Sequence, residues 1–204
     1  MKIVFATGNA HKLREIKEIL SGIDADILAM SDLGLSAEAE ETGETFAENA
    51  AIKAREIQNK LVRLGKETDA IVMADDSGLC IDALGGEPGV HSARFMGHET
   101  PYELKNAALL DKLKDVPEKE RGARFVCSIC AVLPDGSELH AEGELRGRIA
   151  RQSAGRGGFG YDPIFYLPAY DKTAAELSEA QKNEISHRGK ALRLMKTMLR
   201  EMSS

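Results

Sequence analysis

Ala70-Ile71-Val72-Met73-Ala74-Asp75-Asp76-Ser77-Gly78 is the stretch on which the fold turns. Its unbroken apolar run is too short for an ordinary helix and reads as a strand buried on both faces. Such strands belong to sheets covered by helices on each side. The run passes directly into two carboxylates and a glycine. The acids are therefore expected at the strand's C-terminal edge, where open α/β sheets bind ligands.

Working outward, Lys2–Ala6 is a second short buried strand, followed at once by a Thr7-Gly8-Asn9 turn. Leu13, Ile16 and Leu20 then fall at helical spacing over Lys12–Leu20, and Asp26–Met30 reads as a strand. Phe46, Ala50, Ala54, Ile57, Leu61 and Leu64 mark a long amphipathic helix ending near Gly65. Downstream, Leu104–Leu113 is a helix and Ala123–Leu133 the longest strand. Pro134-Asp135-Gly136 turns that strand into Glu138–Leu145 as a hairpin. Ala191, Leu192, Met195, Met198, Leu199 and Met202 form one face of a last helix. Strands alternating with helices, then a hairpin, give a mixed α/β fold with a partly parallel sheet.

The 204 residues suffice for one large domain, or a two-lobed one with a shared core, without a disulfide or metal staple. Hydrophobic residues at 43% and charged residues at 29% describe an ordinary globular chain rather than a disordered one. With Lys and Arg at 27 against 33 Asp and Glu, the formal net charge is −6. That balance argues against a nucleic-acid polymer or an anionic membrane as partner. No apolar run is long enough for a membrane span, and the N-terminal one is too short for a signal peptide. A soluble cytoplasmic protein is expected. Cys80, Cys127 and Cys130 read as buried thiols, since Cys127-x-x-Cys130 lies inside an apolar strand rather than in a redox or zinc motif.

Four segments carry chemistry. Thr7-Gly8-Asn9-Ala10-His11-Lys12, between a strand and a helix, combines helix-start N–H groups with a glycine and a lysine, as an anion cradle does. It lacks the spacing of a Walker A loop, and an Asn9 N-cap with a solvated Lys12 is the plainer reading. Asp75-Asp76 would repel one another unless a cation or donor offsets the charge, and Mg²⁺ takes such carboxylates together with substrate phosphates. A tight turn explains the pair equally well. Glu38, Glu40, Glu41, Glu44 and Glu48 form a second acidic cluster. The capping box Thr45-Phe46-Ala47-Glu48 accounts for Glu48 but leaves Glu40 and Glu41 without a structural reason. Gly155-Arg156-Gly157-Gly158-Phe159-Gly160-Tyr161-Asp162-Pro163 interleaves glycines with aromatics, so its backbone can approach a flat ligand while Phe159 and Tyr161 offer stacking faces. Near the last helix, Ser178-x-x-Gln181 is a further capping box, and the Ser186-His187-Arg188 triplet stands out from an otherwise solvated basic face that begins at Lys182.

Together these segments resemble the inosine triphosphate pyrophosphatase family. The resemblance rests on Thr7-Gly8-Asn9 with Lys12 and Glu15; Glu40-Glu41-Thr42-Gly43; Thr45-Phe46 with Glu48-Asn49-Ala50 and Lys53-Ala54; and Ala74 through Leu79. It continues in Pro88-Gly89, Ser92-Ala93-Arg94-Phe95, Gly158–Pro163, and Ala175-Glu176-Leu177 running to Ser186-His187-Arg188-Gly189. The pieces follow the family's order from end to end, with His11 at a place the family leaves variable. The resemblance implies a mixed, strongly curved central sheet with flanking helices and two lobes around a cleft. It also implies one catalytic domain over residues 1–204 and a homodimer.

The activity it implies is Mg²⁺-dependent hydrolysis of dITP, ITP and XTP to the monophosphate and pyrophosphate, which clears deaminated purines from the nucleotide pool. Carried over by position, Asp76 would be the general base and a metal ligand, with Glu40 a second ligand, Glu41 an adjacent candidate and Asp75 a supporting carboxylate. Thr7, Gly8, Asn9, Ala10, His11, Lys12 and Ser77 would hold the triphosphate. Phe159, Gly160, Tyr161, Asp162, Lys182, His187 and Arg188 would surround base and sugar. Lys182 and Arg188 are donors that suit a 6-oxo purine and would meet an unmatched amino group on adenine. A non-hydrolysing purine-nucleotide sensor would keep the cradle and the aromatic loop but would not need the acidic pair. A phosphorylated receiver domain would carry that pair after its first strand and be much shorter.

Overall fold

The computed structural model describes residues 1–36 and 40–202, with only the backbone at Ala10 and His11. Glu38, part of the acidic cluster expected above, lies outside the described residues. Seven strands are joined in the order β2-β1-β3-β4-β5-β6-β7. They are β1 (Lys2–Phe5), β2 (Asp26–Ala29), β3 (Ile71–Ile81), β4 (Gly122–Val132), β5 (Glu138–Ile149), β6 (Phe165–Leu167) and β7 (Lys172–Thr173). The helices are α1 (Ala10–Ile19), α2 (Phe46–Leu64), α3 (Tyr102–Lys112), α4 (Glu179–Ile185) and α5 (His187–Met202). β1 runs parallel to β2 and β3, whereas β6 is antiparallel to β5 and β7. The mixed α/β fold with a partly parallel sheet is thus observed.

Two compact units divide the chain. The first comprises residues 1–76, 127–143 and 187 onward; the second comprises 77–126 and 144–186. In the first unit, strand alternation builds two cores from the same strands. Ile3, Phe5, Ile71, Met73, Cys127 and Ile129 face Ile16 and Leu20 of α1 and Leu192, Met195 and Leu199 of α5. Val4, Ala6, Val72, Ala74, Cys130 and Val132 face Ala50, Ala54, Ile57 and Leu61 of α2. Burial on both faces is what the unbroken apolar run of β3 encodes. The second unit has its own core, in which Leu79, Ile81, Phe125, Leu145, Ile149 and Phe165 pack with Leu109 and Leu113 of and after α3.

Local sequence sets the helix limits. Thr45 accepts a hydrogen bond from the Glu48 N–H, the Glu48 side chain answers the Thr45 N–H, and left-handed Gly65 (φ 62°) closes α2. The Ser178–Gln181 box starts α4 in the same way. One expectation is corrected: Asp75 and Asp76 do not close their strand, because β3 continues through Ser77 and Gly78 to Ile81. Gly78 adopts no left-handed turn, and Leu79, Cys80 and Ile81 behind it are apolar and buried, so the chain stays extended into the second unit's core. Cys80, Cys127 and Cys130 form no disulfide and are buried, as expected. Among the described residues, no helix is long and apolar enough to cross a membrane.

Candidate active site

In the first unit, β3 carries Asp75 and Asp76 side by side, 2% and 6% exposed. Neighbouring residues of a strand point to opposite faces, so the two carboxylates meet different partners. Asp75 Oδ2 accepts from Lys12 Nζ at 2.9 Å and from Arg188 Nε at 3.4 Å. Arg188 also donates through Nη1 to Glu15, which lies one turn beyond Lys12 on α1. Burial works to raise the Asp75 pKa, but the charges of Lys12, Arg188 and Lys53 outweigh it and hold the carboxyl far below the usual aspartate range.

Asp76 has a different environment. Its Oδ1 accepts from Lys53 Nζ at 3.1 Å and its Oδ2 from Asn49 Nδ2 at 3.3 Å. Lys53 Nζ reaches Glu41 Oε1 at 2.9 Å, bridging the two acids. Asn49 and Lys53 are four apart on α2 and so share a face. Asn49 Oδ1 also accepts the Gly43 N–H at 2.8 Å, tying the Glu40–Gly43 segment to the helix that touches Asp76. For Asp76, burial is the largest influence and raises the pKa; Lys53 opposes it, while Glu41 adds to it, and the net direction is upward. Asn49 and Lys53 belong to the quoted family pattern but were given no role there. Their i, i+4 spacing on a helix starting just after an acidic segment was the available signal.

Before α1, Asn9 Oδ1 accepts the Lys12 N–H at 3.2 Å, so the expected N-cap is present. Lys12 is not merely solvated, because its ammonium lies on Asp75. The Asn9 N–H in turn donates to Thr7 Oγ1 at 3.1 Å. Gly8 is exposed in this turn, and Ser77 is half-buried directly after Asp76. The Ala10 and His11 side chains fall outside the described part. Glu40 is exposed, and it is Glu41 that Lys53 links to Asp76. His187 and Arg188 open α5 and are buried. Arg188, expected at the purine base, stands between Asp75 and Glu15.

In the second unit, Asp162 organises the glycine loop. Its Oδ2 accepts the Phe159 N–H at 2.7 Å and Lys182 Nζ at 2.6 Å. Lys182 also lies 4.4 Å from the centre of the Phe159 ring. Gly158 permits this closure: its φ is +70°, and a Cβ there would come within 2.1 Å of Asp162 Oδ2. The Gly160 carbonyl accepts from Asn106 Nδ2 of α3 at 3.2 Å. The two aromatics differ. Phe159 is half-buried, whereas Tyr161 is 4% exposed, with its hydroxyl on the Ser92 carbonyl at 2.7 Å and its ring against the edge of Tyr102. The open stacking face expected of Tyr161 is therefore corrected to a wall of the loop's own core.

These arrangements can do two things. The first unit can hold an anion and poise a carboxylate as a base; the second can present a ring and a cation to a flat ligand. The family model described as the Ham1 family matches residues 3–198. A dITP/XTP pyrophosphatase of Clostridium perfringens is 47% identical over 199 residues, covering 98% of this chain and 97% of that protein. One of Shigella flexneri is 48% identical over 201 residues, covering 98% of each. The solved structure of the Staphylococcus aureus Ham1 protein superposes with a TM-score of 0.87 at 40% identity, covering 99% of this chain and all of that one.

Proposed function

The chain belongs to the Ham1 family, and from that premise we propose that it hydrolyses dITP and XTP, with ITP beside them, to the nucleoside monophosphate and pyrophosphate. One catalytic domain spanning residues 1–204, working as a homodimer in the cytoplasm, completes the proposal. The observation that carries it is the opposite treatment of two adjacent buried aspartates. Lys12 and Arg188 hold the Asp75 carboxyl well below the usual aspartate range, while burial raises that of Asp76. Such a split separates a fixed counter-charge from a working base.

In this mechanism a water attacks the α–β anhydride, its proton passes to an Asp76 carboxylate oxygen, and pyrophosphate leaves. A triphosphate carries about four negative charges, and its hydrolysis is accelerated chiefly by positioning and charge neutralisation. Lys12, with the Thr7-Gly8-Asn9-Ala10-His11 backbone and Ser77, would receive those charges. Asp75 would fix Lys12 and Arg188 rather than take part in proton transfer. Glu40, Glu41 and Asp76 supply the oxygen donors Mg²⁺ prefers, and the Lys53 ammonium bridging Glu41 and Asp76 marks a place where positive charge is already held between carboxylates. Asp76 and Glu40, with Glu41 adjacent, would hold Mg²⁺, which when bound neutralises phosphate charge and acidifies a water.

At the base, Phe159 and Gly160 would offer a face and close backbone approach, with Tyr161 supporting them from below. Lys182, held by Asp162, would donate to the 6-oxo group. Adenine presents an amino group at that position and leaves the donor unmatched, which a hydrogen-bonding site penalises strongly. The sensor reading would need neither the raised Asp76 nor the bridging Lys53. A panel of dITP, XTP, ITP and ATP with Mg²⁺, scored for pyrophosphate and orthophosphate, separates the readings. Pyrophosphate from the 6-oxo substrates is expected, with ATP slower by at least tenfold. Orthophosphate as first product, or no turnover, would overturn the proposal.

A further inference from the structure

We propose that Cys130, Glu138 and His140 form a second metal site, for a borderline-soft divalent cation of the Zn²⁺ class. The three offer a sulfur, a carboxylate oxygen and an imidazole nitrogen within 4.8 Å of one another. Glu138 and His140 are two apart on β5 and so share a face, and β4 beside it brings Cys130. Sulfur, nitrogen and oxygen together are the donor set of zinc rather than of Mg²⁺, which takes oxygen alone. The site shares no residue with the acids around Asp76.

Charge and geometry both fit. A thiolate and a carboxylate balance a dication, with neutral His140 as the third ligand. At zinc's usual bond lengths, ligand atoms in a tetrahedron stand about 3.3–3.8 Å apart, so closure needs about an ångström of side-chain adjustment. His140 is exposed and can make it, exchanging its 3.1 Å contact with Glu138 Oε2 for the metal. Glu138 is already oriented by Arg55 of α2, whose Nη2 donates to Oε2 at 2.9 Å and whose Nε donates to Oε1. That is the outer support a ligating carboxylate needs. Three protein ligands leave a fourth position for water. Glu138 and His140 border a cavity of about 470 Å³, lined also by Thr42, Glu44, Glu48 and Arg55, from which water and metal can enter.

Co²⁺ replaces Zn²⁺ in such sites and gives a thiolate-to-metal absorption band that an all-oxygen site cannot give. Titrating the purified, metal-free protein with Co²⁺ is expected to produce this band, saturating at one equivalent and bleached by Zn²⁺. Cys130→Ala should abolish it and Cys127→Ala should leave it. His140→Ala, at an exposed position that does not threaten folding, should weaken Co²⁺ binding at least tenfold. Absence of the band in the native protein, or a band that His140→Ala leaves unchanged, would overturn the site.

Discussion

At Asp75 the side chain is almost wholly enclosed and so is its partner Arg188, which makes the residue structural before it is anything else. Removing one member of a buried ion pair leaves the other uncompensated, at a cost of about 3–5 kcal/mol. Asp75→Ala should show that loss in chemical denaturation, and a change below about 1 kcal/mol would contradict the role. The pH dependence follows from the depressed pKa. The Asp75 contribution is present in full above the unfolded aspartate value and is lost only as pH falls toward the much lower folded value. Wild-type stability should therefore keep this contribution through mildly acidic pH. Asp76 behaves in the opposite sense. Its folded pKa is raised, so its ionised form weakens the native state at neutral pH, and this is relieved as pH falls through the folded value. Lys53 lowers that pKa, so Lys53→Met should move it further up. Carboxyl NMR titration of the metal-free protein reads the shift directly, and an unmoved or lowered value would remove Lys53 from the base's control. The sequence marked Asp76 by its neighbour and by the preceding strand. It could not show that Lys53 spans Asp76 and Glu41, because that contact depends on where α2 crosses β3.

Helix α2 holds the side chains around Asp76 by one repeated geometry: Thr45 starts it, and Asn49 and Lys53 follow at intervals of four. Asn49 is wholly buried, and its amide satisfies both the Gly43 N–H and an Asp76 oxygen. Asn49→Ala should cost about 1–3 kcal/mol in stability, through unpaired buried groups. It should also lower kcat by about ten- to a hundredfold, through loss of Asp76 orientation. Stability loss with unchanged kcat would make Asn49 a scaffold residue only. The long elements are legible because caps and apolar spacing agree: Thr45 and Gly65 bound α2 in the sequence itself. β3 was read too short, since Asp75-Asp76-Ser77-Gly78 looks locally like a turn, and only the burial of Leu79 and Ile81 keeps it extended. β6 and β7, at three and two residues, carry no periodicity to read.

Over the whole molecule, a net charge of −6 looks unsuited to a polyanionic substrate. Locally, Lys12, Lys53 and Arg188 pair with Asp75, Asp76, Glu41 and Glu15, so the cluster stays acidic and a bound divalent cation would be needed to turn it toward a triphosphate. The two units hold different groups, with Asp75, Asp76 and their cations in the first and Phe159, Asp162 and Lys182 in the second. Each has its own core, so each can hold its residues rigidly. Which donors belong together had not been readable, since Arg188 and Lys182 are six residues apart yet fall in different units. The proposed activity depends on Asp76 as the base. The most direct test measures pyrophosphate release from XTP with Mg²⁺ by the wild-type chain and by Asp76→Asn, with nucleotide binding followed in parallel. At least a hundredfold loss of kcat with binding retained is expected; turnover near the wild-type rate would contradict the role of Asp76.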